Sequence, residues 1–227
     1  MRRLRPLLAL IPALMAAALA AAPAKTLLCL GDSLTAGYGL DESRAWPALL
    51  QTRLDAGLPG WRVVNAGVSG DTTDDAVQRL DWLLKSPPTA VFVCLGGNDG
   101  LRGLSAAHTQ ENMRVILARF RAAGAACYVS GMDLPSNLGP EYRGAFKALF
   151  PRVARAAHAP FLPFLLKDVA GIPALNQADG LHPTAEGEVV VAKTVGDFLL
   201  PQLKALHGAA AAAAPARVLR TRKDLAP

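Results

Sequence analysis

Five short apolar runs alternate along this chain with segments of helical periodicity, and that order limits the fold more than any other feature. The segments between the runs carry apolar residues on one helical face, as at Trp46, Leu50 and Leu54. Alternating strands and helices are typical of a parallel sheet covered by helices on both faces. We therefore predict an α/β fold, a three-layer α/β/α sandwich with a five-stranded parallel sheet. The predicted strands lie at residues 26–30, 62–64, 89–95, 125–129 and 161–162.

Individual residues refine this pattern at two places. Pro160 and Pro163 flank the last run and lack the N–H that a sheet ladder needs, so the fifth strand should be short and at an edge. Trp46 and Trp82 both fall on predicted helices, where we expect them to be buried or half-buried.

Polar residues follow the apolar runs at the points where the strands should end. They read Gly-Asp-Ser-Leu at 31–34, Asn-Ala-Gly-Val-Ser-Gly-Asp at 65–71, Gly-Gly-Asn-Asp at 96–99 and Asp-Gly-Leu-His at 179–182. In open α/β sheets the ligand binds beyond the carboxyl ends of the strands. These four segments are therefore the predicted components of one site.

Ser33, His182 and Asp179 supply the residue types of a nucleophilic site. A serine needs a base to become a nucleophile, and the base needs a partner that fixes its tautomer. Of the four histidines, only His182 has a carboxylate three residues away among glycine and proline. We predict Ser33 as nucleophile, His182 as base and Asp179 as the residue that orients it.

Acyl transfer also needs hydrogen-bond donors aimed at the developing oxyanion. Ser33 can offer its backbone N–H and Asn98 its side-chain amide. A glycine N–H has no side chain in the way, and both Gly67 and Gly70 are suitably placed. Spacing alone leaves the choice between these two glycines open.

Taken together, the four segments resemble the conserved blocks of the GDSL or SGNH hydrolases, in the same order, from about residue 26 to 206. Segments 64–66, 69–72 and 95–103 are most similar to the branch of periplasmic acyl-CoA thioesterases, lysophospholipases and arylesterases. The resemblance implies a flavodoxin-like fold and a Ser33, Asp179, His182 triad. It also implies an oxyanion hole of Ser33, Gly70 and Asn98, and activity on thioesters, aryl esters and lysophospholipids.

The same residues bear on three other functions, namely a metal-dependent phosphoesterase, a non-catalytic binding module and a carbohydrate O-acetyl esterase. A two-metal phosphoesterase needs several histidines and carboxylates converging on metals, whereas here one histidine is well placed, so we expect no metal or cofactor. A non-catalytic binding module would suit a chain that had lost a member of the triad, and none is lost. A carbohydrate O-acetyl esterase would use the same apparatus and remains the alternative.

The substrate is inferred from charge and from two loops. The net charge of +6 comes from the chain ends, so the middle is neutral and nucleic acid is not an expected partner. Loops 100–105 and 132–140 should wall an apolar groove beside the serine, with substrate contacts at Gly100, Leu101, Leu134 and Pro135. We expect a small acyl ester or thioester as substrate and a monomeric enzyme.

The two ends have the composition of non-catalytic segments. Residues 1–24 have three arginines, an apolar run and a small-residue cleavage site, as in a secretory signal peptide. The run is shorter than a spanning helix needs, so we expect cleavage, no stable membrane anchor and a periplasmic or secreted protein. Residues 25–207 should form the hydrolase domain, and 208–227 an alanine-rich, basic, disordered tail.

Overall fold

Five parallel strands form the central sheet, in the order β2-β1-β3-β4-β5. The computed structural model describes residues 25–213, so the predictions for residues 1–24 and for the end of the tail lie outside it. The strands are β1 Lys25–Gly31, β2 Trp61–Gly67, β3 Ala90–Cys94, β4 Ala126–Ser130 and β5 Phe161–Leu162. All five predicted strands are confirmed, and β5 is the short edge strand that its flanking prolines indicate.

Eight helices connect and cover the strands in the described part of the chain. They are α1 Ser33–Ala36, α2 Trp46–Gly57, α3 Thr73–Gln78, α4 Leu80–Leu83, α5 Gly97–Leu101, α6 Ala106–Ala122, α7 Pro140–Ala156 and α8 Ala185–Ala213. Three short 3-10 helices lie at Glu42–Arg44, Ser136–Leu138 and Pro173–Leu175. Helix α8 continues past residue 207 into the alanine-rich segment, whose residues have the highest helix propensity.

The helices form one layer on each face of the sheet. Phe92 of β3 and Tyr128 of β4 both pack against Phe198 of α8, on the face that α2 also covers. The neighbouring Cys127 points the other way, with its thiol against the Leu117 carbonyl of α6. Because successive strand residues point to opposite faces, α2 with α8 and α6 with its neighbours α3 and α7 cover opposite faces. The predicted three-layer sandwich is confirmed.

The core occupies both interfaces between the sheet and its helices. All five residues of the central strand β3 are buried, as expected for a strand covered on both sides. The thiols of Cys29, Cys94 and Cys127 are buried and unpaired. Among the described helices, none is both long and apolar enough to cross a bilayer.

The segment between β2 and β3 differs from the sequence prediction. The single helical face expected at Val77, Leu80 and Leu84 is divided between α3 and α4, with Arg79 in a non-helical conformation between them. Trp82 was expected to be at least half-buried, which is wrong, because the residue is 67% exposed. Helix α4 is a single turn in which Leu80 and Leu83 are buried, and Trp82 therefore faces solvent.

Candidate active site

The four polar segments converge at the carboxyl edge of the sheet. In the strand register, Gly31 at the end of β1 lies beside Gly67 of β2 and Cys94 of β3. Ser33 is the first residue of α1 and Asn98 belongs to α5, both directly beyond their strands. The structure therefore brings together segments that are far apart in the chain, as the parallel topology predicts.

Ser33 lies in a tight turn between β1 and α1. Asp32 caps the helix, since its carboxylate accepts a hydrogen bond from the Leu34 N–H at 3.0 Å. A side chain at Gly31 would collide with Thr35, whose hydroxyl oxygen would lie 2.0 Å from the added carbon. Asp32 is buried, and burial raises its pKa to about 7. The turn therefore holds the Ser33 side chain in a fixed place at the end of the sheet.

His182 lies between Ser33 and Asp179 in a hydrogen-bonded series. Its Nε2 is 2.9 Å from the Ser33 hydroxyl oxygen, and its Nδ1 is 2.6 Å from Asp179 Oδ2. The other oxygen of Asp179 accepts the backbone N–H groups of Leu181 and His182 at 2.9 and 3.0 Å. The hydrogen bonds from His182, backbone first and side chain second, lower the pKa of Asp179 to about 2. With the proton on Nδ1, the imidazole can accept the hydroxyl proton of Ser33.

Two residues that sequence reasoning missed support the His182 loop. The ring of Tyr38 lies 4.5 Å from the His182 ring, centroid to centroid. Gln177 donates its side-chain amide to the Tyr38 carbonyl at 2.7 Å and to the Pro183 carbonyl at 2.9 Å, and its backbone N–H to the His182 carbonyl at 2.7 Å. No motif marks either residue, and their only sequence signal is closeness to Ser33 or Asp179.

Three groups with a hydrogen-bond donor to spare line the cleft beside the serine. The backbone N–H groups of Ser33 and Gly70 have no acceptor among residues 25–213. Gly70 has a φ of +89°, a conformation that favours glycine. The Asn98 amide donates to the Asp71 carbonyl at 2.9 Å, which fixes the group and leaves its second hydrogen available.

Gly67, the other glycine that spacing left open, is engaged elsewhere. Its N–H donates to the Asn65 side chain at 3.0 Å. A side chain at Gly67 would collide with the backbone of α1, 2.3 Å from the Ala36 nitrogen. The close approach of α1 to β2 therefore explains why glycine stands at this position, and Gly70 is the better-placed donor.

An apolar cleft of about 340 Å³ opens beside Ser33. Ser33, Asn98 and His182 line it, and so do Leu101, Leu134 and Pro135 as expected. Met132, the first residue of the predicted loop 132–140, also lines it. Sequence reasoning missed four further apolar lining residues, which are Leu34, Phe164, Leu166 and Leu181.

Gly100 is the one expected substrate-contact residue that lies outside the cleft lining. It sits behind Leu134, whose methyl carbon would lie 2.3 Å from a side chain added at Gly100. This glycine therefore leaves room for Leu134 rather than for a ligand.

The other described histidines lie away from the cleft. His108 contacts Asp74 at 2.9 Å on the surface, and His158 follows α7 with a φ of +46°. Within residues 25–213, no three His, Cys, Asp or Glu side chains converge as metal ligands would.

Comparison with known proteins gives consistent matches over this region. The model of the GDSL-like Lipase/Acylhydrolase family matches residues 29–190. The esterase TesA of Pseudomonas aeruginosa is 42% identical over 183 residues, which cover 80% of this chain and 91% of that protein. Thioesterase 1/protease 1/lysophospholipase L1 of Escherichia coli is 42% identical over 187 residues, covering 82% of this chain and 86% of that protein.

A solved structure is similar in both sequence and fold. The psychrotrophic esterase EstA of Pseudoalteromonas, in a structure inhibited by monoethylphosphonate, superposes with a TM-score of 0.76 and 34% identity. The match covers 79% of this chain and 99% of that one.

Proposed function

Because this chain belongs to the GDSL-like lipase/acylhydrolase family and is an esterase and thioesterase, we propose that it works through an acyl-enzyme on Ser33. The observation that carries the proposal is the series Ser33–His182–Asp179, with distances of 2.9 and 2.6 Å. The inhibition of the relative EstA by a phosphonate supports the same chemistry, because a tetrahedral phosphorus resembles the tetrahedral intermediate of acyl transfer.

In the first half of the reaction the acyl group moves to the enzyme. The Ser33 oxygen attacks the acyl carbonyl carbon while His182 Nε2 takes the hydroxyl proton. The carbon–oxygen or carbon–sulfur bond then breaks, and His182 returns the proton to the leaving alcohol or thiol. Asp179 stays ionised throughout and stabilises the transient imidazolium, in keeping with its low pKa.

In the second half water removes the acyl group. His182 takes a proton from the water as its oxygen attacks the Ser33 ester, and gives that proton back to the serine oxygen. In both halves the former carbonyl oxygen carries a negative charge. It accepts hydrogen bonds from the backbone N–H groups of Ser33 and Gly70 and from the Asn98 amide. Donors fixed before the reaction stabilise this charge without reorganisation.

The apolar lining of the cleft suits the acyl chain of a substrate. Its walls are aliphatic or aromatic at Leu101, Leu134 and Phe164, and burial of an alkyl chain against them contributes about 0.8 kcal/mol per methylene. We propose acyl-CoA thioesters, aryl esters and lysophospholipids as substrates. The enzyme that hydrolyses them would be a monomer whose residues 1–24 direct its export and are then cleaved off.

Initial rates on acyl-CoAs, aryl esters and lysophospholipids of graded chain length test this function. We expect rates that rise with chain length up to the capacity of the cleft, and loss of hydrolysis in Ser33→Ala. A phosphonate ester should add one phosphonyl group to the wild-type mass and none to the variant. Activity confined to acetylated sugars, or hydrolysis that survives in Ser33→Ala, would contradict the proposal.

A further inference from the structure

One arginine behind the donor groups is bonded to three separate segments of the chain. Arg79 lies between α3 and α4, and its side chain is 19% exposed. Its Nε donates to Asp71 Oδ2 at 2.8 Å in an ion pair. Its Nη2 donates to the carbonyls of Ala66 at 2.9 Å and Gly31 at 3.3 Å, at the carboxyl ends of β2 and β1. The planar guanidinium thus joins two strand ends to the loop that follows β2.

The acceptors of these bonds adjoin the proposed oxyanion donors. Gly31 lies two residues before Ser33, and Asp71 directly follows Gly70. The carbonyl of Asp71 also accepts the Asn98 amide at 2.9 Å. Asp71 therefore contacts Arg79 through its side chain and Asn98 through its backbone.

We propose that Arg79 is a positioning residue for the oxyanion hole. Acting through Asp71 and Gly31, it sets the mutual placement of the donors at Ser33, Gly70 and Asn98. It does not touch substrate, and the cleft lining does not include it. This inference rests on the proposed function, because it concerns the donors of that reaction.

The physical basis is the distance dependence of oxyanion stabilisation. A single donor contributes roughly a hundred- to a thousandfold in rate, and displacement by about 1 Å can remove much of that. The three donors come from three separate segments of the chain, namely the start of α1, the loop after β2 and helix α5. A rigid fork hydrogen-bonded beside two of these segments limits their relative displacement before substrate arrives.

A purely structural role makes a different prediction, and the chain offers a matched control for it. Arg53 of α2 also donates hydrogen bonds to two carbonyls and one carboxylate, but neither it nor its partners line the cleft. It donates to the carbonyls of Ala192 at 3.2 Å and Lys193 at 2.8 Å, and to Asp197 Oδ1 at 2.7 Å. Its loss should affect stability without affecting the reaction.

The test compares Arg79→Met with Arg53→Met in the full chain, on the best thioester substrate. We expect kcat per folded molecule to fall about 10- to 100-fold in Arg79→Met, while KM changes less than about twofold. Circular dichroism measures the folded fraction of each variant. Arg53→Met should lower the melting temperature and keep kcat within about twofold. Arg79→Lys should recover only part of kcat, because an ammonium cannot bond all three acceptors in the same fork.

A double variant separates action through the donors from any independent effect. If Arg79 works by placing the donors, Arg79→Met should cost clearly less in an Asn98→Ala background than alone. Losses that multiply in full would overturn the inference, as would a kcat loss in Arg79→Met no larger than in Arg53→Met.

Two further variants keep the test decisive. Should Arg79→Met fail to fold, Arg79→Lys and Asp71→Asn are judged by the same criteria, since each weakens the same ion pair. Ser33→Ala distinguishes the two levels of the argument. If Ser33→Ala still hydrolyses the substrate, the proposed function is overturned. If Ser33→Ala is inactive but the Arg79 variants have a normal kcat, only the positioning role is overturned.

Discussion

At the scale of single residues, Asp179 engages His182 through both of its carboxylate oxygens. In Asp179→Asn the amide oxygen can keep the two backbone hydrogen bonds while the amide nitrogen faces the imidazole as a donor. The imidazole then carries its proton on Nε2 and cannot accept one from Ser33. We expect kcat to fall by about a hundred- to ten-thousandfold with a nearly unchanged melting temperature. Turnover near the wild-type value would show that another carboxylate orients His182.

Asn98 gives the second prediction at this scale. In Asn98→Ala we expect kcat to fall by roughly a hundred- to a thousandfold with little change in KM. The reason is that the hydrogen bond donated by the Asn98 amide strengthens as negative charge develops on the substrate oxygen. The same change leaves the Asp71 carbonyl without its amide partner, so some stability is lost as well. Paired measurement of kcat and melting temperature separates the two effects. A large stability loss with kcat preserved in the folded fraction would remove Asn98 from the oxyanion hole.

The sequence predicts a site residue only where that residue has a local chemical or spacing pattern. Ser33, Asp179 and His182 have distinctive chemistry and spacing. The choice between Gly67 and Gly70 depends on which N–H is already bonded in three dimensions, and spacing contains no such information. Arg79 and Gln177 were missed because their contacts join segments distant in sequence, and no local pattern marks such residues.

At the scale of secondary-structure elements, Glu188 of α8 caps α2. Its Oε2 accepts the Trp46 N–H at 2.8 Å, and the Trp46 indole donates to the Leu34 carbonyl at 3.0 Å. Helix α2 has no side-chain cap of its own, because Ala45 stands at that position. Burial raises the pKa of Glu188 from 4.5 to about 8, and the Trp46 hydrogen bond only partly offsets this.

A pH-dependent stability follows from this buried carboxyl. In the folded state Glu188 holds a proton that it releases on unfolding. Its contribution to the free energy of unfolding is therefore fully present below about pH 4.5 and is lost as pH rises through about 8. From about pH 5 to 8, the wild type should lose on the order of 3 kcal/mol more unfolding free energy than Glu188→Gln. Asp32 adds the same trend to both proteins, so the difference isolates Glu188. Parallel curves from denaturant unfolding would contradict this assignment.

Helix α5, which follows β3, carries the next prediction, because its Gly100 leaves space for Leu134. In Gly100→Ala the added methyl group would overlap the Leu134 side chain and force it toward the cleft. We expect the preferred acyl chain to become shorter, with kcat/KM falling for long acyl-CoAs more than for short ones. Equal losses at every chain length would show that Leu134 does not limit the acyl chain.

The elements themselves were predictable to different degrees. Strands β1, β3 and β4 are buried on both faces, so their unbroken apolar runs are strong signals. The boundary between α3 and α4 was not predictable from hydrophobic periodicity, since it coincides with Arg79 turning its side chain toward the strand ends.

At the scale of the whole molecule, processing at the amino terminus can be tested directly. The first strand begins at Lys25, whose backbone N–H donates to the Gly60 carbonyl at 2.9 Å. Cleavage after Ala24 would therefore leave every described strand complete. We expect the intact mass of protein from a periplasmic fraction to correspond to a chain that begins at Lys25. A chain that keeps Met1 in that fraction would identify residues 1–24 as an anchor.

The buried thiols have a consequence for how this enzyme can be handled. No disulfide joins Cys29, Cys94 and Cys127, so the native state owes nothing to oxidation. Burial also raises the pKa of the Cys127 thiol to about 11, which keeps it in the unreactive protonated form. A chain made without its leader in a reducing cytosol should thus reach the same state as the exported one. Alkylation by iodoacetamide should leave hydrolysis intact, in contrast to organophosphorus reagents, which phosphorylate or phosphonylate the serine.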